Sequence, residues 1–153
     1  MIKTETAHNV QSLMPLYEQN YRLAIGVIPA LRSITRPVTL ILHGDPRSCV
    51  SVIECTRYTS TLLVSHSFGS HASELLRNIT MQLRVYHDAR LLEVLSYQNR
   101  RRFAPHYQFP NDRMLSRCEK RQVNLFLGEW LCWCLEGGRC FEYDPGGLHY
   151  AFC

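Results

Sequence analysis

The residues of this chain best equipped for chemistry lie in two short polar segments, Arg57-Tyr58 and Tyr86-His87-Asp88. A guanidinium such as that of Arg57 donates two parallel hydrogen bonds to a phosphate or a carboxylate. The His87 imidazole exchanges a proton near neutral pH, and a neighbouring carboxylate such as Asp88 can orient its ring. Just before them, Arg84 and Tyr86 alternate with Leu83 and Val85 and so share the opposite face of a strand. With that face open, the pair extends a polar groove toward Tyr97. The ligand-binding set read from the sequence is therefore Arg57, Tyr58, Arg84, Tyr86 and His87, with His87 and Asp88 as the candidates for catalysis. A plainer reading stands beside this one and is the ordinary expectation for polar turn residues. In it Asp88 caps a turn, His87 satisfies backbone groups, Tyr58 packs on a hairpin, and Arg84 and Tyr86 mark the solvated side of a sheet.

Other clusters carry less. Arg100-Arg101-Arg102-Phe103, followed by His106 and Tyr107, joins cations to stacking rings as single-stranded nucleic acid requires. It is one short run, and a formal charge of +4 over 153 residues falls short of a clustered basic footprint. Nucleic acid is therefore not the expected partner. Cys132, Cys134 and Cys140 lack a Cys-x-x-Cys pair or a suitably spaced histidine, so no metal site is expected. Ser65-His66-Ser67 sets hydroxyls beside an imidazole, yet adjacency is not triad geometry. No glycine loop for phosphates and no nucleophile elbow occurs, so no cofactor is expected.

The elements that must position these residues follow from periodicity. Val10, Leu13, Met14, Tyr17, Tyr21, Ala24 and Ile28 recur at three- and four-residue steps and predict a helix. Ser12 is its candidate cap, Pro15 falls in its first turn, and Gly26 and Pro29 end it. Ala30 to Arg36 reads as a connector. Five strands are predicted next: Val38–His43, Cys49–Cys55, Thr61–Phe68, Ile79–Tyr86 and Leu91–Gln98. Gly44-Asp45-Pro46 reads as a turn, and a helical turn is expected at Glu74 to Leu76. Asn99 to Leu115 reads as a long loop. Ser116 and Glu119 form a capping box that opens a second helix, with Val123, Phe126, Leu127, Trp130, Leu131, Cys134 and Leu135 on one face and Gly137-Gly138 at its end. In an antiparallel meander successive turns alternate between the two sheet ends. The turn bearing Arg57 and Tyr58 and the turn bearing His87, Asp88 and Arg90 should then share one end.

The expected fold is a single α+β domain over residues 1–153: a five-stranded antiparallel meander with an N-terminal and a C-terminal helix packed on it, and an irregular tail over 139–153. A chain of this length buries roughly 70% of the surface it exposes when unfolded, so the core needs no staple. At 46% apolar and 20% charged residues the composition is that of a globular protein. No run approaches the roughly 20 apolar residues of a membrane span, and MIKTETAHNVQS lacks a signal peptide's apolar block, so the expectation is a cytoplasmic protein without a membrane partner. The seven cysteines, an odd number without paired spacing, are read there mostly as small apolar core residues.

Several stretches carry a resemblance: Glu54-Cys55-Thr56-Arg57-Tyr58-Thr59, Leu83-Arg84-Val85-Tyr86-His87-Asp88-Ala89 with Glu93-Val94, Tyr107-Gln108-Phe109-Pro110-Asn111, and Glu119-Lys120-Arg121-Gln122-Val123-Asn124 through Trp130-Leu131. From Leu13 to Gly138 the chain resembles the YqiB-like bacterial family, proteins with a domain of unknown function. The resemblance implies a small cytoplasmic protein. The genes of such proteins often neighbour those for a cyclic-nucleotide phosphodiesterase and an ADP-ribose pyrophosphatase, a hint toward nucleotide metabolism that assigns no residue a role. The ends of the chain, with their extra cysteines and Gly-rich tail, depart from the pattern.

The mild basicity and the missing catalytic signature predict a non-catalytic binding or regulatory module for an anionic, nucleotide-like ligand or an acidic protein partner. The alternative is a small hydrolase or transferase acting on a phosphorylated metabolite, with His87 as acid or base and Asp88 orienting it. A purely structural partner protein would instead show an apolar patch on an uncovered sheet face.

Overall fold

A computed structural model describes residues 2–67, 78–99 and 117–143. The described elements are α1 (Ile2–Val27), a 3-10 turn (Leu31–Ser33), β1 (Val38–Leu42), β2 (Asp45–Cys55), β3 (Thr59–Ser67), β4 (Asn78–Tyr86), β5 (Leu91–Asn99), α2 (Arg117–Glu136) and β6 (Phe141–Tyr143). The strands form one antiparallel sheet in the order β5-β4-β3-β2-β1-β6. The α+β class and the meander of β1 to β5 match the sequence reading. The sheet has six strands rather than five, because the tail expected to be irregular returns beside β1 as β6, with Leu42 opposite Phe141. Three residues carry too little alternation to announce a strand; what fixes this one is the burial of Phe141, 3% exposed, against Trp130 at 5.9 Å between ring centroids.

Alternation along the strands divides the sheet into two faces. One presents Leu40, Leu42, Val50, Val52, Leu62, Val64, Met81, Leu83, Val85, Leu92 and Val94 to the core. Both helices cover this same face: Tyr21, Ala24 and Val27 of α1 and Leu127, Trp130, Leu131 and Cys134 of α2 belong to that one cluster. The other face carries Thr39, Ser51, Thr61, Gln82, Arg84 and Glu93 together with the partly exposed Ile41 and Leu63, a mixed surface.

The helices are tied to each other and to the edge of the sheet by two asparagines. Asn20 Nδ2 donates to the Asn124 carbonyl (3.0 Å), and Asn124 Oδ1 accepts from the Val94 backbone N–H (3.0 Å), satisfying a donor that edge strand β5 would otherwise bury unpaired. Gly128 allows this approach, since a Cβ there would stand 2.8 Å from Asn20 Oδ1. α2 ends as its glycines predict. Gly138 takes φ +64, and the backbone N–H groups of Gly138 and Arg139 donate to Leu135 and Cys134 in a Schellman cap.

Several boundaries differ from expectation. α1 starts well before Val10, so Ser12 lies inside it and Pro15 is interior rather than in the first turn. Met14 and Leu135, placed on the buried stripes by periodicity, are 45% and 38% exposed. Asp45 opens β2 instead of closing the turn: Leu42 pairs with Asp45, leaving His43-Gly44 as a two-residue hairpin loop with Gly44 at φ +80. The cysteines divide. Cys134 is fully buried, and burial pushes its thiol up to about 12. Cys55, Cys132 and Cys140 are half-buried free thiols, while Cys49 is disulfide-bonded and so departs from the reading as an apolar filler. The helical turn expected at 74–76 and the loop at 100–115 lie outside the described residues.

Candidate anion-binding site

The β2–β3 and β4–β5 turns do meet at one end of the sheet. The first is a tight loop with Arg57 and Tyr58 at its tip. It is closed by the Thr56 N–H donating to the Thr59 carbonyl (2.8 Å) and the Thr59 N–H donating to Thr56 Oγ1 (3.1 Å). The ladder between β3 and β4 runs as far as Thr59 opposite Tyr86. One step beyond it, the His87 backbone N–H donates to the Tyr58 carbonyl (2.8 Å) and joins the two turns directly.

Beside this junction lies a hollow of about 750 Å³, lined by Arg57, His87, Asp88 and Arg90 from the turns, by Cys55 and Thr56, and by Arg32, Ile34 and Thr35 from the segment after α1. Arg32 is the residue that sequence reading missed. It sits in the 3-10 turn whose Leu31 is a buried plug, 1% exposed. Its Nε donates to Tyr21 Oη (2.9 Å), and its guanidinium carbon stands 5.6 Å from the centre of that ring. In the connector Ala30 to Arg36 the apolar Leu31 and Ile34 alternate with the cations Arg32 and Arg36 over too few residues to mark an element.

Three guanidiniums thus line the hollow against one carboxylate, Asp88. Among the described residues, none of the three lies within ion-pair distance of an acidic group. Arg57 lies over the Tyr58 ring at 5.2 Å, a stacking that leaves its in-plane N–H donors available. Arg90 adopts φ +56, a left-handed backbone uncommon outside glycine.

His87 is held by its neighbours in a defined way. Its Nε2 is hydrogen-bonded to Ser60 Oγ (2.8 Å), and its Nδ1 is buried with no partner among the described residues. Burial first, and then Arg32, lower its pKa below 6.5, while Asp88 acts weakly in the opposite direction. The ring is therefore neutral at pH 7. The expected orienting role of Asp88 is not what the geometry shows, because the hydroxyl of Ser60 takes the ring nitrogen instead.

Arg84 and Tyr86 lie elsewhere, in a hydrogen-bonded chain across the outer face. Thr61 Oγ1 donates to Glu54 (3.2 Å), Arg84 Nη2 reaches Thr61 Oγ1 at 3.5 Å, Tyr86 Oη donates to Glu93 Oε1 (2.7 Å), and Lys120 Nζ pairs with Glu93 Oε2 (2.9 Å). Burial opposes the Lys120 charge, but the Glu93 carboxylate and Tyr17 hold its pKa above the ordinary lysine value. Burial and the bond to Glu93 raise the Tyr86 hydroxyl. The groove expected toward Tyr97 does not form. A bulge between Gln82 and Leu83 leaves Leu95 without a partner, so Tyr97 falls opposite Met81 on the core face and packs edge-on against Phe126 at 6.2 Å.

His66 pairs with the Ser48 hydroxyl rather than with its sequence neighbours, and its ring lies 6.4 and 6.2 Å from Trp130 and Trp133. Ser48 is fully buried, which closes it to any substrate. The arginine run at 100–102, with His106 and Tyr107, lies outside the described residues.

The fold and site together define an antiparallel α+β domain with both helices on one sheet face and, at one sheet end, an arginine cluster that has no ion pair among the described residues. The family described as "Protein of unknown function (DUF1249)" matches residues 25–140, and the chain belongs to it. Three curated relatives, each named "Uncharacterized protein YqiB" and coming from the K12, O6:H1 and O157:H7 strains of Escherichia coli, are 37% identical over 89 residues. The match covers 58% of this chain and 62% of theirs. No solved structure matches. Among the described residues no helix is long and apolar enough to cross a membrane.

Proposed function

We propose that the protein is a non-catalytic binding or regulatory module, acting in the cytoplasm, that recognises a phosphate-bearing, nucleotide-like small molecule. The observation that carries the reading is the convergence of Arg32, Arg57 and Arg90, from three separate segments, on one hollow beside the single carboxylate of Asp88, with no ion pair to any of the three among the described residues. Guanidiniums left unpaired at a concave surface repel one another, and a doubly charged oxyanion offsets that repulsion with bidentate hydrogen bonds. An acidic side chain of a protein partner offers a weaker version of the same chemistry, with one charge in place of two or more.

Calorimetric titration with inorganic pyrophosphate tests the reading. Arg32→Ala combined with Arg57→Ala is expected to weaken binding at least about tenfold while the circular dichroism spectrum is unchanged, as for the loss of charge-assisted bonds. Equal affinity in the double variant overturns it.

The second reading, a hydrolase or transferase of phosphate esters, is favoured by one observation: the unpartnered Nδ1 of His87, a residue that lines the hollow. It requires release of phosphate from an ester panel that disappears in His87→Gln.

A further inference from the structure

The hollow does not end at Arg32 and Arg90. Both residues also line a second hollow of about 390 Å³, together with Ala89 and with Glu18, Tyr21, Arg22 and Ile25 of α1. Positions 18, 21, 22 and 25 are spaced by three and four residues, so they form one stripe of the helix. The trench therefore runs from the sheet end onto the flank of α1, with Arg32 and Arg90 at the junction.

The two halves differ in chemistry. The first holds three cations and one anion. In the second the charges of Glu18 and Arg22 offset each other across 3.8 Å, and the half-buried Ile25 and the small Ala89 supply apolar wall. Glu18 offers a carboxylate to N–H or O–H donors, which a free oxyanion lacks. An all-anionic polymer would meet that carboxylate unfavourably, whereas a molecule with an anionic end and a neutral, donor-bearing body is complementary along the whole trench. Arg32 is suited to the junction because the Tyr21 hydroxyl holds its Nε at 2.9 Å, leaving its terminal amino groups to serve either side.

Resting on the anion-binding reading above, we propose that the ligand is a nucleoside phosphate bound across both hollows, its phosphates among Arg32, Arg57 and Arg90 and its base and sugar in the Ile25–Ala89 hollow with donors to Glu18.

The test compares calorimetric affinities for pyrophosphate with those for ADP, GDP, CDP and UDP. In the unmodified protein at least one nucleoside diphosphate is expected to bind about tenfold tighter than pyrophosphate, the return for burying a small organic body. Ile25→Trp and, independently, Ala89→Trp fill the second hollow; each is expected to erase that advantage and to leave pyrophosphate affinity within about twofold. Ala89 is exposed in a turn, so its variant folds even where Ile25→Trp does not. If pyrophosphate binding needs Arg57 but no nucleoside diphosphate exceeds it, or the advantage survives both tryptophans, the two-part ligand is overturned and the anion site stands. If neither pyrophosphate nor any nucleotide binds, both readings fall together.

Discussion

The outer-face chain and the sheet-end hollow are neighbours, the first on strands β2 to β5 and the second at the turns that join β2 to β3 and β4 to β5, and both hold arginine beside a carboxylate. They differ in how charge is balanced. On the outer face Lys120 meets Glu93 at 2.9 Å, and Glu54 is linked to Arg84 through the hydroxyl of Thr61. In the hollow, Arg32, Arg57 and Arg90 outnumber Asp88. A half-buried charge satisfied within the fold is part of what orders the fold; one left without a partner is a place where something else can bind. Residue type does not separate the two regions; the Glu93–Lys120 ion pair does, while Arg84 beside it keeps a buried Nε with no partner among the described residues.

The largest effect that can break this contrast is on the paired side. Glu93→Gln leaves the Lys120 ammonium, 33% exposed, without its carboxylate and replaces the charged acceptor of Tyr86 by a neutral amide oxygen, and is expected to cost about 1 kcal/mol in urea unfolding. The same experiment on Arg57→Ala is expected to show no loss, because Arg57 is exposed and stacks on the exposed ring of Tyr58. Equal losses in the two variants would erase the distinction.

A smaller effect of opposite sign sharpens it. Arg90→Gly relieves a left-handed backbone at φ +56. The relief exceeds the added freedom of glycine in the unfolded chain, for a net gain of about 0.5 kcal/mol. The same change should weaken pyrophosphate binding. Stability and affinity moving in opposite directions would mark Arg90 as a residue kept for its side chain; a parallel loss of both would mark it as structural.

The smallest effect is pH dependence. His66 and His87 both have pKa values lowered below 6.5, in each case chiefly by burial, with Asp45 opposing the shift at His66 and Asp88 at His87. The unfolded chain then binds protons more readily than the folded one, so stability is full above pH 6.5 and falls as pH drops from there toward the folded values. Melting temperatures across pH 7.5 to 5 should decline, and His66→Gln or His87→Gln should each flatten part of the slope. Pyrophosphate, by favouring a protonated His87, should flatten the His87 part only. A slope insensitive to both variants would place the titration elsewhere.

Much of the fold was legible because its signals are local and repeated. Ile79, Met81, Leu83 and Val85 alternate with polar residues for a full strand, and Gly137-Gly138 closes α2 where its cap requires. The meeting of Arg57 with His87 was legible too, since it follows from turns alternating between the ends of an antiparallel sheet. Tyr97 was misplaced because one bulge shifts a period of two by one residue and sends everything beyond it to the other face. β6 was missed because three residues hold no period to read.

Sequence alone determined the element types, the antiparallel order of β1 to β5 and which turns lie at one end, because hydrophobic period and turn chemistry are properties of neighbouring residues. Tertiary structure decided the charge balance. It drew Tyr86 and Lys120 onto Glu93 and set Arg84 against Thr61, and it brought Arg32 from beyond the end of α1 to Arg57 and Arg90. Pairing depends on distances between segments far apart in the chain, and those distances exist only after the helices have packed on the sheet.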